Sequence, residues 1–361
     1  VFKTVNSGYR QSLYWGNETA YGSSAVIDEP FGLVQSINPT ETNNLIKVRT
    51  LGGTRDYSKI VAGKFEVSGS FDYYLQEGVF FRQAFGEDSG STAVTDSGPR
   101  IHSGASYVHV MGSAASPQVD AFPSFSMEFA DYEGVNADGN LKRTYTGCRV
   151  NTLAISATVD DPVKVSVDWI GQGVTKGTTD ATSVTESTKD PYVFYQGAVY
   201  ASSGAVAYDT VLGTTSEIAE VNTVDFSVNN NLEATWYVSG TTNSTQTLRG
   251  LKSLIVKGRD YDSSLGLHFA NRKMYERFLG ATGATGPQAT LNKYQVVADF
   301  VRSGTVGAKL VTDDRIRLVL GSCAFNDINI AGAPEDIVSQ AIGINVQTAK
   351  LFVVDDDASY E

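Results

Sequence analysis

A strand-then-helix pattern that occurs twice constrains this chain more than any other feature. The first copy reads Gly63-Lys64-Phe65-Glu66-Val67-Ser68-Gly69-Ser70-Phe71-Asp72-Tyr73, followed by Phe80-Phe81-Arg82-Gln83-Ala84-Phe85-Gly86. Phe65, Val67, Phe71 and Tyr73 share one face of a strand, and Lys64, Glu66, Ser68, Ser70 and Asp72 the other. The apolar spacing then widens to four, as in Phe81/Phe85, which predicts a short helix stopped by Gly86. The second copy is assigned to a strand over residues 250–261 and a helix Met274-Tyr275-Glu276-Arg277-Phe278-Leu279 closed by Gly280. Aligned on the closing glycines, both helices read apolar, apolar, polar, polar, apolar, apolar. In this alignment Phe71 and Tyr73 face Asp260 and Asp262, so the second strand is expected to have lost part of its apolar face.

A chain of 361 residues is long enough for two domains. With 35 Gly, 18 Tyr and 17 Phe against 9 Pro, its composition is that of a β-rich protein. No apolar run approaches the roughly 18 residues of a membrane-spanning helix, and the first residues lack the apolar core of a signal peptide. Cys148 and Cys323 are too few for a disulfide framework. They occupy matching contexts, Gly147-Cys148-Arg149-Val150-Asn151 and Ser322-Cys323-Ala324-Phe325-Asn326, and read as small buried residues on equivalent strands. The net charge of −12 is spread evenly, −6 on each side of Thr175. That balance argues against groove-hugging nucleic-acid recognition, which needs a basic footprint. It is compatible with a surface past which nucleic acid slides, since an acidic wall repels the phosphate backbone.

Taken in order, residues 32–51 suggest a hairpin turning at Asn38-Pro39-Thr40, with Gly52-Gly53 ending its second strand. Residues 87–121, rich in Ser, Gly, Thr and Ala, read as a long surface excursion. Asn136-Ala137-Asp138-Gly139-Asn140 is a turn. Leu153–Val159 and Val163–Trp169 form a hairpin across Asp160-Asp161-Pro162. The stretch from Gly171 to Asp190 is a linker by composition. Two mostly β domains are therefore expected, 1–175 and 176–361, each with one short helix. Val224–Glu233 answers Val34–Asn44, Ala331–Asp336 takes the place of the Asp-Asp-Pro turn, and the acidic tail from Asp355 is expected to fray.

No chemistry-bearing constellation emerges. His102, His109 and His268 have no acidic or cysteine partner at metal-ligand spacing. Gly171–Gly177 lacks the Gly-Lys-Ser/Thr of a phosphate loop, and Asp88–Asp96 lacks the closing Glu of a calcium loop. Asp160-Asp161 and Asp313-Asp314 read as exposed acids in turns. The sequons at Asn17 and Asn243 have no secretory context. No nucleophile stands beside a base, so no catalytic, metal or cofactor residue is assigned and an enzyme is not expected.

Glu29-Pro30-Phe31-Gly32-Leu33-Val34, the Gly63–Phe71 strand, Gly78–Gly86, Pro123–Glu128 and Tyr145-Thr146-Gly147-Cys148 together resemble the tail tube proteins of long-tailed bacterial and archaeal viruses. The likeness is good over residues 28–170; over 190–345 it rests chiefly on the internal repeat. It implies that each domain is a β-sandwich or partial barrel with one short flanking helix, that six such domains join sheets into a ring, and that rings stack into a hollow tube. Two domains per chain imply a trimer as the ring. The resemblance also implies the partners: other copies of the chain, a tape measure protein and double-stranded DNA in the lumen, tail terminator and baseplate proteins, and no membrane. The location implied is the virion tail, assembled in the host cytoplasm. The inner tube of a contractile injection device is a related alternative. A different class, a carbohydrate-binding adhesin, would use Tyr14, Trp15, Tyr192 and Tyr195 as stacking platforms.

Overall fold

The computed structural model describes residues 11–53, 55–86, 92–93, 106–112, 122–131, 141–177, 184–212, 218, 220–237, 249–302, 314–333, 337–357 and 360. The predicted turn at 136–140, His102, the sequon at Asn243 and the Ala331–Asp336 turn beyond Ala333 lie outside them. Among the described residues the protein is mostly β, with two short helices. Strands β1 (Gln11–Asn17), β2 (Glu29–Pro30), β3 (Leu33–Val48) and β4 (Lys59–Tyr74) precede helix α1 (Arg82–Phe85). Next come β5 (Thr92–Ala93), β6 (Tyr107–Met111), β7 (Phe125–Asp131), β8 (Leu141–Thr158), β9 (Lys164–Gly171) and β10 (Gly173–Gly177). The rest are β11 (Gly197–Ser202), β12 (Val221–Asn229), β13 (Glu233–Thr235), β14 (Ser253–Ile255), β15 (Asp260–His268), helix α2 (Lys273–Leu279), β16 (Tyr294–Val301), β17 (Arg315–Ala331), β18 (Ser339–Asn345) and β19 (Thr348–Asp355).

One antiparallel sheet of eight strands runs through the whole molecule in the order β3-β4-β9-β8-β12-β15-β18-β17. Smaller sheets flank each half of it. β2-β1-β7-β8-β10 covers the first half, and β11-β16-β17-β19-β6 the second. The long strands β8 and β17 each serve two sheets, and the changeover falls at Gly147 (φ 63°) and Ser322 (φ 53°). The following residues, Cys148 and Cys323, are both buried free thiols, as their matching contexts suggest. Burial pushes both up in pKa, Cys323 to about 11, so neither is a ready nucleophile.

Each half packs its core between the central sheet and its flanking sheet. In the first half Phe80, next to α1, meets Trp15 at 5.1 Å, Phe31 at 4.9 Å and Phe125 at 5.3 Å, mostly edge to face. Phe71 and Tyr73 of β4 close the same cluster. In the second half the matching place before α2 is taken by β15, whose Leu265 and Leu267 are buried. This corrects the strand expected at 250–261, because β15 lies closer to its helix. Counted back from Gly86 and Gly280, Phe71 and Tyr73 correspond to Leu265 and Leu267, not to Asp260 and Asp262. The apolar face is kept. Residues 253–255 form instead a short two-stranded pairing, β13–β14.

Other differences have plain physical causes. Asn38-Pro39-Thr40 is not a turn, since β3 continues through it and pairs with β4 along its length. Proline is tolerated there because β3 is an edge strand. Gly86 has φ 86° and ψ −156°, a glycine-only conformation, whereas Gly280 (φ 116°, ψ −11°) is a left-handed helix stop. Part of the 87–121 excursion is structural, as β6 pairs with β19. The first part of the linker is strand β10, paired with β8. Asp314 is buried and bound by Arg302, rather than exposed in a turn.

The described tail does not fray. Tyr360 stacks on the buried His109 ring at 3.6 Å between centroids, and its backbone carbonyl accepts a hydrogen bond from Arg82. His109 also lies 3.6 Å from Asp355 and hydrogen-bonds the Asp357 carbonyl, so its acidic neighbours come from far along the chain. Packing the tail here crowds carboxylates. Burial and then Asp28, Asp357 and Glu77 raise the Glu29 pKa from 4.5 to about 7, and burial and then Asp355 raise Asp357 to about 6. A raised carboxyl pKa means the folded state holds the proton more tightly. Stability is therefore lost as pH climbs from about 4.5 through 7. Glu29→Gln should melt about 2 °C higher than the parent at pH 8 and alike at pH 5, because screening keeps the effect near 1 kcal/mol. Thermal melts across that range check it.

Candidate functional site

The central sheet has two unlike faces. One is the core. On the other, alternation places Ser36, Asn38, Thr40 and Thr42 of β3, Ser68, Ser70 and Asp72 of β4, and Lys164, Ser166 and Asp168 of β9. It continues with Thr152, Ala154 and Ser156 of β8, Asp225, Ser227 and Asn229 of β12, and Asp260, Asp262 and Ser264 of β15. Ala341, Gly343 and Asn345 of β18, then Asp327, Asn329 and Ala331 of β17, complete it. Small hydroxyl, amide and carboxylate side chains make up most of this face.

Six aspartates are spread across its width: Asp72, Asp168, Asp225, Asp260, Asp262 and Asp327. Lys164, at 3.1 Å from Asp72, is the lysine set among them. Partial burial alone would raise the Asp72 pKa, but hydrogen bonds from Ser166, Lys164 and Ser36 outweigh it and hold the carboxyl below its usual range. Asp168 moves the other way, raised by burial and then by the Asp72 charge. Asp225 accepts a hydrogen bond from Ser156 across the β8–β12 seam at 2.7 Å. Such a face can repel phosphates.

The sheet's two ends are the second element of the site. Among the described residues β4 pairs on both sides, but β3 pairs only with β4, and at the far end the Asp327–Ala331 part of β17 pairs only with β18. Both free edges carry apolar residues. Ile330 is 44% exposed and Ile328 half-buried on β17, while Ile37 and Pro39 are half-buried on β3. Beyond Glu66 the β3–β4 ribbon leaves the sheet as a two-stranded arm with Leu45, Ile46, Val48, Ile60 and Val61 exposed. Exposed apolar edges and arms of this kind call for a partner.

The sequence matches the phage tail tube protein family over residues 8–347. This chain belongs to that family. No curated protein matches it. Membership makes it a structural component of a phage tail, in a family whose members build the tube. The mostly β fold and the open-edged sheet are those of a subunit built to associate. Of the four aromatics an adhesin would use, Trp15 and Tyr192 are buried in the core and Tyr14 is half-buried, whereas Tyr195 is 72% exposed. Among the described residues no group of His, Cys, Asp and Glu is arranged to hold a metal ion.

Sequence reasoning did not locate the acidic face. Each carboxylate sits on the polar side of its own strand, but only strand order places Asp72, Asp168, Asp225, Asp260, Asp262 and Asp327 on one surface.

Proposed function

We propose that this tail tube protein forms trimeric rings, which stack into a tube whose lumen is lined by the acidic face of the central sheet. The observation that carries this reading is the β8–β12 pairing, in which Thr152–Thr158 meets Thr223–Asn229 edge to edge. It joins two four-strand sets of the same order, β3-β4-β9-β8 and β12-β15-β18-β17. The correspondence extends to detail: both leading strands have a bulge near their start, between Val34/Ser36 and between Val221/Thr223. Both trailing strands have one after the sheet change, between Val150/Thr152 and between Phe325/Asp327. We read the chain as two equivalent domains, split near residue 175.

A chain with one joined seam and two complementary open edges repeats head to tail. Six domains per ring, the arrangement in the family it resembles, require three chains and a closed barrel of 24 strands. At roughly 4.8 Å per strand the barrel circumference exceeds about 115 Å, which passes a nucleic-acid duplex. The carboxylates then face the passing DNA and the tape measure protein that precedes it, and phosphate repulsion keeps the bore free for genome delivery. The exposed arm, unsupported by the sheet, supplies the contact between rings.

Electron microscopy of the purified protein tests the proposal. Rings or tubes with threefold chain symmetry and six domains per layer are expected. Compact monomers at high concentration, or rings of another chain count, would overturn it.

A further inference from the structure

The internal seam dictates how one copy meets the next. We infer that Asp327–Ala331 of one chain pairs antiparallel with Asn38–Thr42 of a second copy in the register of β8 on β12, latched by Asn43. This rests on the ring proposed above and goes further, fixing which residues face each other.

The register follows from two independent correspondences. Pairing to β9 and β18 equates Thr152, Leu153, Ala154, Ile155 and Ser156 with Asp327, Ile328, Asn329, Ile330 and Ala331. Pairing to β4 and β15, with the helices' closing glycines as anchor, equates Asp225, Phe226, Ser227, Val228 and Asn229 with Asn38, Pro39, Thr40, Glu41 and Thr42. Within the chain, Ile155 faces Phe226 and Ala154 faces Ser227. Between chains, Ile330 therefore faces Pro39 and Asn329 faces Thr40. Exposure agrees: Leu153 is 0% and Ile155 8% exposed beneath the seam, whereas Ile330, lacking a neighbour, is 44% exposed.

The latch is the second observation. At the end of β12, Asn230 is fully buried in the first half. Its backbone N–H donates to the Asn151 carbonyl at 2.7 Å, and its side-chain amide donates to the carbonyls of Ala84 at 3.0 Å and Val150 at 3.1 Å. Arg259 donates to its side-chain oxygen. The residue in the equivalent place on β3 is also asparagine, Asn43, and it is exposed. Its side-chain oxygen likewise accepts from an arginine, Arg249. The counterparts of Asn151, Ala84 and Val150 are Asn326, Phe278 and Phe325, and Asn326 is exposed at the open β17 edge. Asn43 of one copy thus reaches Asn326, Phe278 and Phe325 of the next. The Asn230 N–H points across the seam, so alternation points Phe226, and hence Pro39, the same way. Lacking an N–H, Pro39 gives the joint between chains one hydrogen bond fewer than its internal template.

Paired cysteines read the register. A chain carrying Thr40→Cys and Asn329→Cys should form disulfides between copies under mild oxidation, since directly opposed β-carbons lie about 5 Å apart. Thr40→Cys with Ala331→Cys, two residues off, should crosslink poorly; the buried Cys148 and Cys323 give no background. Asn43→Ala should melt like the parent yet need roughly tenfold more protein to assemble, whereas Asn230→Ala should lower the melting temperature. Assembled rings that crosslink only through the off-register pair, or through neither, would overturn the register and leave the tube reading standing. Unchanged assembly of Asn43→Ala, or melting as low as that of Asn230→Ala, would overturn the latch. Failure of the parent chain to assemble would remove both the inference and the ring.

Discussion

Ile330→Lys is expected to give a chain that folds and no longer assembles. Ile330 is 44% exposed in the single chain, so a lysine there meets water and costs the monomer little. In the ring the same position lies at the seam between copies, beside Pro39. An unpaired ammonium buried there costs several kcal/mol, enough to weaken association by 100-fold or more. Sedimentation and electron microscopy should show monomers at concentrations where the parent forms rings, with melting within about 2 °C of the parent. The equivalent change inside the chain separates this from a general effect of charge. Ile155 occupies the matching place at the internal seam, 8% exposed and facing Phe226. Ile155→Lys should therefore destabilise the folded chain itself, by about 3 kcal/mol or more. If Ile330→Lys assembles normally, the open edge of β17 is not where copies meet.

How much of this was legible in the sequence depends on whether a signal was local. The helices were: Phe81/Phe85 spacing and the closing glycines Gly86 and Gly280 locate both. The hairpin across Asp160 was local too, with the turn residue itself at φ 71°. The strand before α2 was not. Period-two alternation occurs both at residues 251–256 and in β15, and a local pattern does not say which run reaches the central sheet. Counting back from Gly280 would have found Leu265 and Leu267. Pro39 misled because turn chemistry and edge-strand chemistry both admit proline, and only strand order separates them. β6 was hidden in a Ser/Gly-rich stretch, since its partner β19 lies some 240 residues later. The buried tail was hidden for the same reason: Tyr360 is held by His109 and Arg82, and the run of aspartates before it suggested only solvent. The acidic face is the clearest case. Each aspartate is an ordinary polar position on its own strand, and its role appears only when eight strands are laid side by side.

The same non-local logic puts the largest stability effect well away from the seams. Asp299→Ala is expected to destabilise the second half by about 3–5 kcal/mol, because it takes the carboxylate away from the buried Arg317 guanidinium. Asp299 on β16 is fully buried between Arg317, at 3.0 Å, and Arg315, at 3.5 Å, both on the neighbouring β17. Arg317 does more than pair with it. One of its terminal nitrogens also donates to the carbonyls of Ala207, Tyr208 and Thr210, pinning the segment after β11 against the sheet. Val206, Leu212, Tyr200, Val297, Val319 and Phe352 form a small apolar cluster beneath that segment. Removing the carboxylate leaves Arg317 to its carbonyl acceptors alone, which cannot offset a buried positive charge, so the cluster should open as well. Urea titration should show a lower midpoint, and hydrogen exchange should show faster exchange over 200–212. These residues lie in the flanking sheet, on the side away from the acidic face. Whatever Asp299→Ala protein remains folded should therefore still assemble through its intact edges, at a yield set by the folded fraction. Assembly lost in step with stability fits this picture. Assembly lost from a chain as stable as the parent would place Asp299 in the joint between copies, which the fold argues against.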